Sequence, residues 1–232
     1  MNKKNIAIVL AAGQGKRMKA AVQKQFLEID GKPLLYYSLK CFQESPNIEE
    51  VILVTEKEAI TYCQEEIVDK YGLSKVERIV AGGKERYHSV YEGLKACKNC
   101  GYVFIHDGAR PFVTERIIKQ TKEAAVKYQA CVSAVRAKDT IKISDDQNFV
   151  KETPERNQVW LVQTPQVFEY ELVLAAYRKC IIEAIDNITD DAMVVEAMTQ
   201  CKVMLVEGDY RNIKVTTPED LKIVEVFIKD RK

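Results

Sequence analysis

The sequence is poor in histidine: His88 and His106 are the only two in 232 residues. That leaves little room for imidazole acid–base chemistry or a histidine-rich metal centre. Neither sign of charge is in excess, with 35 Lys and Arg against 34 Asp and Glu and a formal net charge of +1. Proteins whose main partner is nucleic acid usually carry a basic surplus, so that class is set aside. No apolar run approaches the roughly 20 residues that cross a bilayer. Lys3 and Lys4 ahead of Ile6–Ala12 resemble the start of an export signal. The run is short and leads straight into Gly-Gln-Gly-Lys-Arg, so a buried strand explains it better and the protein is expected in the cytoplasm. The seven cysteines are scattered and odd in number, which argues against a disulfide framework. Cys97 and Cys100 form a lone C-x-x-C without the second ligand pair that a structural zinc needs. No stretch reads as a linker, and there is no internal repeat.

What is there is an alternation of short apolar runs and helical patterns. VILVT (51–55), RIVAGG (78–83), YVFIHD (102–107), CVSAV (131–135) and KVMLVEG (202–208) read as buried strands rich in β-branched residues. Helical patterns lie between them, over 34–42, 57–70, 89–98, 114–128, 169–183 and 190–198. Thr217 and Pro218 open a last helix as cap and first residue. Strand–helix alternation along the whole chain predicts a single α/β domain with a doubly wound, mainly parallel sheet. Residues 137–163 break the pattern: DTIKIS alternates, Asp145–Asn148 is a turn, and FVKETPERNQVWLVQ returns, which reads as a hairpin arm. Such an arm exposes Ile141, Ile143, Phe149 and Trp160 unless its own domain or a second subunit covers them. VQTPQVF (162–168) reads as a turn after the arm.

The first apolar run ends in Ala11-Ala12-Gly13-Gln14-Gly15-Lys16-Arg17. Glycines let the backbone approach a ligand closely, and a helix start offers N–H groups to an anion. The loop lacks the third glycine of a dinucleotide fingerprint and the G-K-[ST] ending of a Walker A loop. Lys16, Arg17 and Lys24 suit a triphosphate better than a diphosphate. An ordinary strand-to-helix turn with solvated lysines remains the alternative. Ligands of open α/β sheets sit at the carboxyl ends of the strands. There HDGARP places Asp107, a carboxylate that could share a Mg²⁺ with phosphate oxygens. It could equally form a structural pair with Arg110. GGKERYHSV is a second glycine turn entering a helix, where Ser89 could meet a base edge; a plain helix entry is the alternative. Lys214 stands on a short strand before the final helix, and Thr189 lies near a helix start, where an N-cap role competes with a binding one.

The ordered set LAAGQGKRM, KQFLEIDGKPLLYYSL, GGKERYHSV, HDGARPF, KDTIK, ERNQVWLVQTPQVF, ITDDA and NIKVTTPEDL resembles the 2-C-methyl-D-erythritol 4-phosphate cytidylyltransferases of the non-mevalonate isoprenoid pathway. The resemblance spans nearly the whole chain. It implies a Rossmann-like nucleotidyltransferase fold and transfer of CMP from CTP, with Mg²⁺ or another divalent cation, onto methylerythritol phosphate. It further implies transition-state stabilisation by Arg17 and Lys24, and nucleotide binding by Ala11, Ala12, Gly13, Gln14, Gly15, Gly83, Ser89 and Asp107, the last also toward the metal. Arg156 and Lys214 would position the acceptor phosphate, with Arg110, Thr140, Thr164 and Thr189 in the acceptor site. The arm would cross into a partner's active site, making a homodimer. Two positions depart from the family pattern. Gln23 stands where proline is frequent, which suggests a more mobile loop, and Arg211 stands where an acidic residue is frequent, which leaves Asp209 as the nearest carboxylate to a second metal-ligand position. Rival readings are a ribitol 5-phosphate cytidylyltransferase, a non-catalytic nucleotide-binding regulator, and a redox protein using Cys97 and Cys100.

Overall fold

The computed structural model describes residues 3–13, 23–185 and 187–230. In chain order its strands are β1 (Lys4–Leu10), β2 (Glu28–Ile29), β3 (Lys32–Pro33), β4 (Glu50–Thr55), β5 (Val76–Ala81), β6 (Cys100–Asp107), β7 (Ala130–Arg136), β8 (Ile143–Ser144), β9 (Val150–Glu152), β10 (Trp160–Glu169) and β11 (Met204–Glu207). The helices are α1 (Leu34–Glu44), α2 (Ile60–Tyr62), α3 (Arg86–Ala96), α4 (Glu115–Tyr128), α5 (Tyr170–Glu183), α6 (Asp191–Met198) and α7 (Pro218–Lys229). The seven-stranded sheet runs β11-β7-β10-β6-β1-β4-β5. All neighbours are parallel except β10, which is antiparallel to both β6 and β7.

The residues of β1 explain the layering. Successive side chains of a strand point to opposite faces. Ala7 and Val9 join one core with Leu35, Leu39 and Phe42 of α1 and Ile117 of α4. Ile6 and Ile8 join the other with Leu94 of α3, Tyr177 of α5 and Val194 of α6. A strand apolar on both faces needs helices on both sides, and they are there. A third cluster seats Val224 and Ile228 of α7 against Ile29, Leu34 and Phe112. Thr217 and Asp220 close a capping box at the start of α7, as the Thr-Pro-Glu-Asp motif predicts.

Several expectations change. Lys214 lies on no strand but in the irregular segment between β11 and α7. The 162–168 segment is no turn but the middle of β10, at the centre of the sheet. Its register with β7 shifts between Val162 and Gln166, so Thr164 and Pro165 fall in a bulge where proline's missing N–H costs the ladder nothing. Since β10 begins at Trp160, the arm is shorter than the 137–163 reading; it holds the β8–β9 ladder and a 3-10 turn at Arg156–Gln158. The helix expected over 57–70 is broken into a 3-10 turn at Lys57–Ala59, α2, and a π-helical stretch at Cys63–Asp69. The N-cap of α6 is Asp190, whose Oδ1 accepts from Met193 N–H at 2.9 Å, and not Thr189. Trp160, now in β10, is half-buried beneath the Arg136 guanidinium, while on the arm Ile143, Phe149 and Val150 are exposed at 43%, 68% and 60%.

Helix α3 sits close to the sheet because of Gly93. A Cβ there would stand 2.7 Å from Ile8 Cγ2 and 3.1 Å from Val54 Cγ2. Alanine at this position gains up to about 1 kcal/mol of helix propensity, but overpacking a tight core costs about 1–3 kcal/mol. Gly93→Ala is therefore expected to lower the urea unfolding midpoint; a raised midpoint would show that the helix can back away freely.

Candidate active site

The carboxyl ends of β1, β4, β5 and β6 open onto a cleft of about 810 Å³, within the range of small-molecule sites. Its floor is the end of β1, Leu10 to Gly13. Residues 14–22 lie outside the described residues, so the positions of Gln14, Gly15, Lys16 and Arg17, and the helix expected after them, are not assessed. The chain resumes at Gln23, and Lys24 lines the cleft while donating through Nζ to Val215 O at 3.0 Å. Gln23, read as loosening the loop, is tied down at this end. Its amide donates to Glu56 and accepts from Gln25 Nε2 at 2.6 Å, and Gln25 also donates to Ala11 O at 2.5 Å.

One wall is the turn from β5 into α3. A Cβ on Gly82 would lie 2.6 Å from Ala12 Cβ and 2.7 Å from Ser89 Oγ, so only glycine lets these two segments close on each other. Gly83 N–H donates to Ser89 Oγ at 3.1 Å, and the Ser89 hydroxyl donates on to Glu85 O at 3.2 Å. The opposite wall carries charge. Asp107, at the end of β6, receives Lys214 Nζ on Oδ2 at 2.7 Å and Arg86 Nε on Oδ1 at 3.2 Å. Arg110 Nε stands 4.0 Å away, and Arg110 Nη1 donates to Asn212 O at 2.8 Å. Burial alone would raise the Asp107 carboxyl, but Arg86, Lys214 and Arg110 overcome it and hold the group well below the usual carboxylate range. The expected Asp107–Arg110 pair does form, at 4.0 Å, but Lys214 and Arg86 are the nearer partners, so Asp107 is shared among three cations.

Beneath Asp107 lies a relay of neutral hydrogen bonds. Asp107 N–H donates to Thr164 Oγ1 at 3.1 Å, and the Thr164 hydroxyl meets His106 Nδ1 at 3.0 Å. His106 Nε2 faces Arg110 O at 3.1 Å. A carbonyl only accepts, so the proton sits on Nε2, and the Thr164 hydroxyl donates to Nδ1. Complete burial of this ring lowers its pKa to about 4.

Ala11, Ala12, Gly13, Lys24, Gly83, Ser89, Asp107 and Lys214 thus come together around one cleft. Thr164 and Arg110 support it from behind. Arg156 and Thr140 lie exposed on the arm, and Thr189 is exposed before α6; none of the three lines the cleft of its own chain. Asp209 accepts the Arg211 N–H at 2.8 Å and does not line the cleft, while Arg211 reaches Asp230 at 3.8 Å. Sequence reading missed Arg86, Gln25 and Glu56. Arg86 sits inside the quoted GGKERYHSV motif, and the arginine after its glycines was the available signal. Among the described residues no group of three His, Cys, Asp or Glu could hold a metal alone. A single carboxylate sharing Mg²⁺ with phosphate is a different arrangement. Each Asp107 oxygen can accept two donors and has one close cation, so it fits that role. Cys97 and Cys100 are free but buried, and the hydrogen bond between them and burial raise the Cys100 thiol, the opposite of a reactive thiolate.

The neutral His106 links stability to pH. Below pH 6.5 the unfolded chain protonates this ring, whereas the native ring resists until about pH 4. Stability therefore falls as pH drops through that window, by about 3 kcal/mol from this one group. Chemical denaturation of His106→Gln between pH 7 and pH 4 is expected to give a shallower loss than the wild type; parallel curves would remove His106 as the cause.

A family model described as 2-C-methyl-D-erythritol 4-phosphate cytidylyltransferase matches residues 5–230. The chain is 49% identical over 224 residues to the curated protein of that name from Caldanaerobacter subterraneus, covering 96% of this chain and 98% of the relative. It is 47% identical over 230 residues to the one from Clostridium kluyveri, with 99% of each covered. A solved 4-diphosphocytidyl-2C-methyl-D-erythritol synthase from Anaerococcus prevotii superposes with a TM-score of 0.85 at 35% identity, covering 98% of this chain and 96% of that one. The 2-C-methyl-D-erythritol 4-phosphate cytidylyltransferase of Thermus thermophilus does so with a TM-score of 0.77 at 28% identity, covering 96% and 98%.

Proposed function

The chain belongs to the 2-C-methyl-D-erythritol 4-phosphate cytidylyltransferase family of nucleotidyltransferases, and from that membership we propose how its cleft transfers CMP from CTP to methylerythritol phosphate. The observation that carries the reading is the meeting of Ala11 to Gly13 at the end of β1 with Lys24, Asp107 and Lys214 around a single cleft. The cytosine lies in the slot where Ala12, Gly82 and Ser89 close together. The triphosphate lies along Ala11 to Gly13, with Lys24 at the α-phosphate; the family resemblance assigns Gln14, Gly15 and Arg17, which lie outside the described residues, to the same phosphates. Asp107 would hold Mg²⁺ jointly with phosphate oxygens; when bound, the metal supplies charge neutralisation of the polyphosphate.

A phosphate oxygen of the acceptor attacks the α-phosphorus in line, and pyrophosphate leaves. The nucleophile is anionic at neutral pH, so no general base is required. Neither histidine suits that role: His106 is buried and neutral, and His88 stacks on Tyr87 at 4.1 Å. Catalysis is positioning and charge stabilisation. Lys214 places the acceptor phosphate from within the cleft, and Arg110 and Thr164 support that side. Arg156 and Thr140 reach the acceptor from the arm of a second copy. The exposed Ile143, Phe149 and Val150 support a homodimer through that arm. Substrates and product are small, charged and water-soluble, in keeping with a cytoplasmic enzyme, and no described helix is long and apolar enough to cross a membrane.

Two outcomes test this reading. With CTP and a panel of polyol phosphates, pyrophosphate release is expected with methylerythritol phosphate, and Lys24→Ala is expected to cut turnover ~10²–10³-fold. Release with ribitol 5-phosphate alone would transfer the assignment to the rival enzyme. Light scattering is expected to return a dimer for the wild type and a monomer for Phe149→Asp; a monomeric wild type would end the shared-site arrangement.

A further inference from the structure

Arg86, the first residue of α3, spans two carboxylates. Its Nη1 and Nη2 donate to Asp191 Oδ1 and Oδ2 at 2.9 and 2.8 Å, and its Nε donates to Asp107 Oδ1 at 3.2 Å. Asp191, the first residue of α6, has no exposed surface. The Tyr177 hydroxyl, also fully buried, donates to Asp191 Oδ1 at 2.5 Å. The Asp191 and Ala192 N–H groups donate to Gln166 Oε1 at 3.0 and 2.9 Å, and Gln166 Nε2 donates to the Asp190 cap at 2.9 Å.

We infer that Asp191 is a positioning residue of the reaction: it aims the Arg86 guanidinium so that Arg86 orients the Asp107 carboxylate toward the nucleotide. The inference rests on the cytidylyl-transfer reading of the cleft. A guanidinium is planar and its donors form a rigid fork. With both Nη groups committed to Asp191, the direction of the Nε–H is set, and it points at Asp107. Asp191 also matches the Arg86 charge, so Arg86 serves as a strut rather than as one more cation on the triphosphate. Without Asp191 the guanidinium is able to turn into the cleft it already lines, toward phosphate or flat against Asp107. Buried ion pairs are weak stabilisers compared with apolar replacements, so stability alone does not account for this one. The anchoring is shared: Thr164 and Gln166, both on β10, hold the Asp107 backbone N–H and the start of α6 respectively.

The test uses the full-length enzyme and pyrophosphate release with CTP and methylerythritol phosphate. Asp191→Asn is expected to lower kcat and kcat/KM by the same factor, about 10–100-fold, as loss of an outer-shell partner does. The double variant Arg86→Met with Asp191→Leu is expected to recover the thermal midpoint while kcat stays low. Wild-type kcat in Asp191→Asn, or recovery of kcat together with stability in the double variant, would make the pair merely structural and overturn the inference. Should Asp191→Asn not fold, Tyr177→Phe keeps the ring and both charges and is expected to lower kcat; full turnover there overturns the inference as well. An inactive wild type would overturn the reaction assignment and this inference with it, whereas an active wild type with unaffected variants overturns this inference alone.

Discussion

The cleft is organised around one buried carboxylate. Asp107 ends β6 with its side chain only 11% exposed, a position that would cost several kcal/mol for an unpaired ion. Its charge is retained because Lys214, Arg86 and Arg110 converge on it, and because Thr164 takes its backbone N–H. Lys214, Arg86 and Thr164 come from different parts of the chain, so the carboxylate locks the segment before α7, the start of α3 and β10 to one place. Remove that convergence and the cleft loses its charged wall while keeping its sheet.

Electrostatics and packing divide the work between the two walls. The side built from Ala12, Gly82 and Ser89 closes by glycine-permitted contact. The side built from Asp107, Lys214 and Arg86 is closed by charge. The relay through Thr164 to a neutral His106 gives the charged wall a rigid uncharged floor, since a buried ring that resists protonation adds no competing cation beside Asp107.

The arm follows a different logic from the cleft. Its β8–β9 ladder is short, and Asp145 holds the turn by accepting from Gln147 N–H and Phe149 N–H at 3.0 and 2.9 Å. Its apolar side chains do not join the clusters that cover the sheet. A short ladder with exposed Phe149 is poorly stable alone, and the parent domain leaves it uncovered, which is the observation behind the proposed homodimer.

Much of the architecture was legible from composition and period. β-branched runs apolar on both faces require a sheet covered on both sides, and all six apolar runs form strands, though β11, read as buried, is an edge strand with Met204 and Leu205 exposed. The helix cap at Thr217 and the glycine turn at 82–83 were legible from local sequence too. Strand β10 was not, since Gln-Thr-Pro-Gln has the chemistry of a turn and only a bulge between two committed neighbours admits it to a sheet centre. Nor could sequence alone find the Arg86–Asp191 pair, whose members lie 105 residues apart, or show Lys214 resting on Asp107. Local periodicity determines which segments form strands and helices; the order in which crossovers stack those strands determines which distant charges meet, and a charge has no sequence signature for a partner chosen that way.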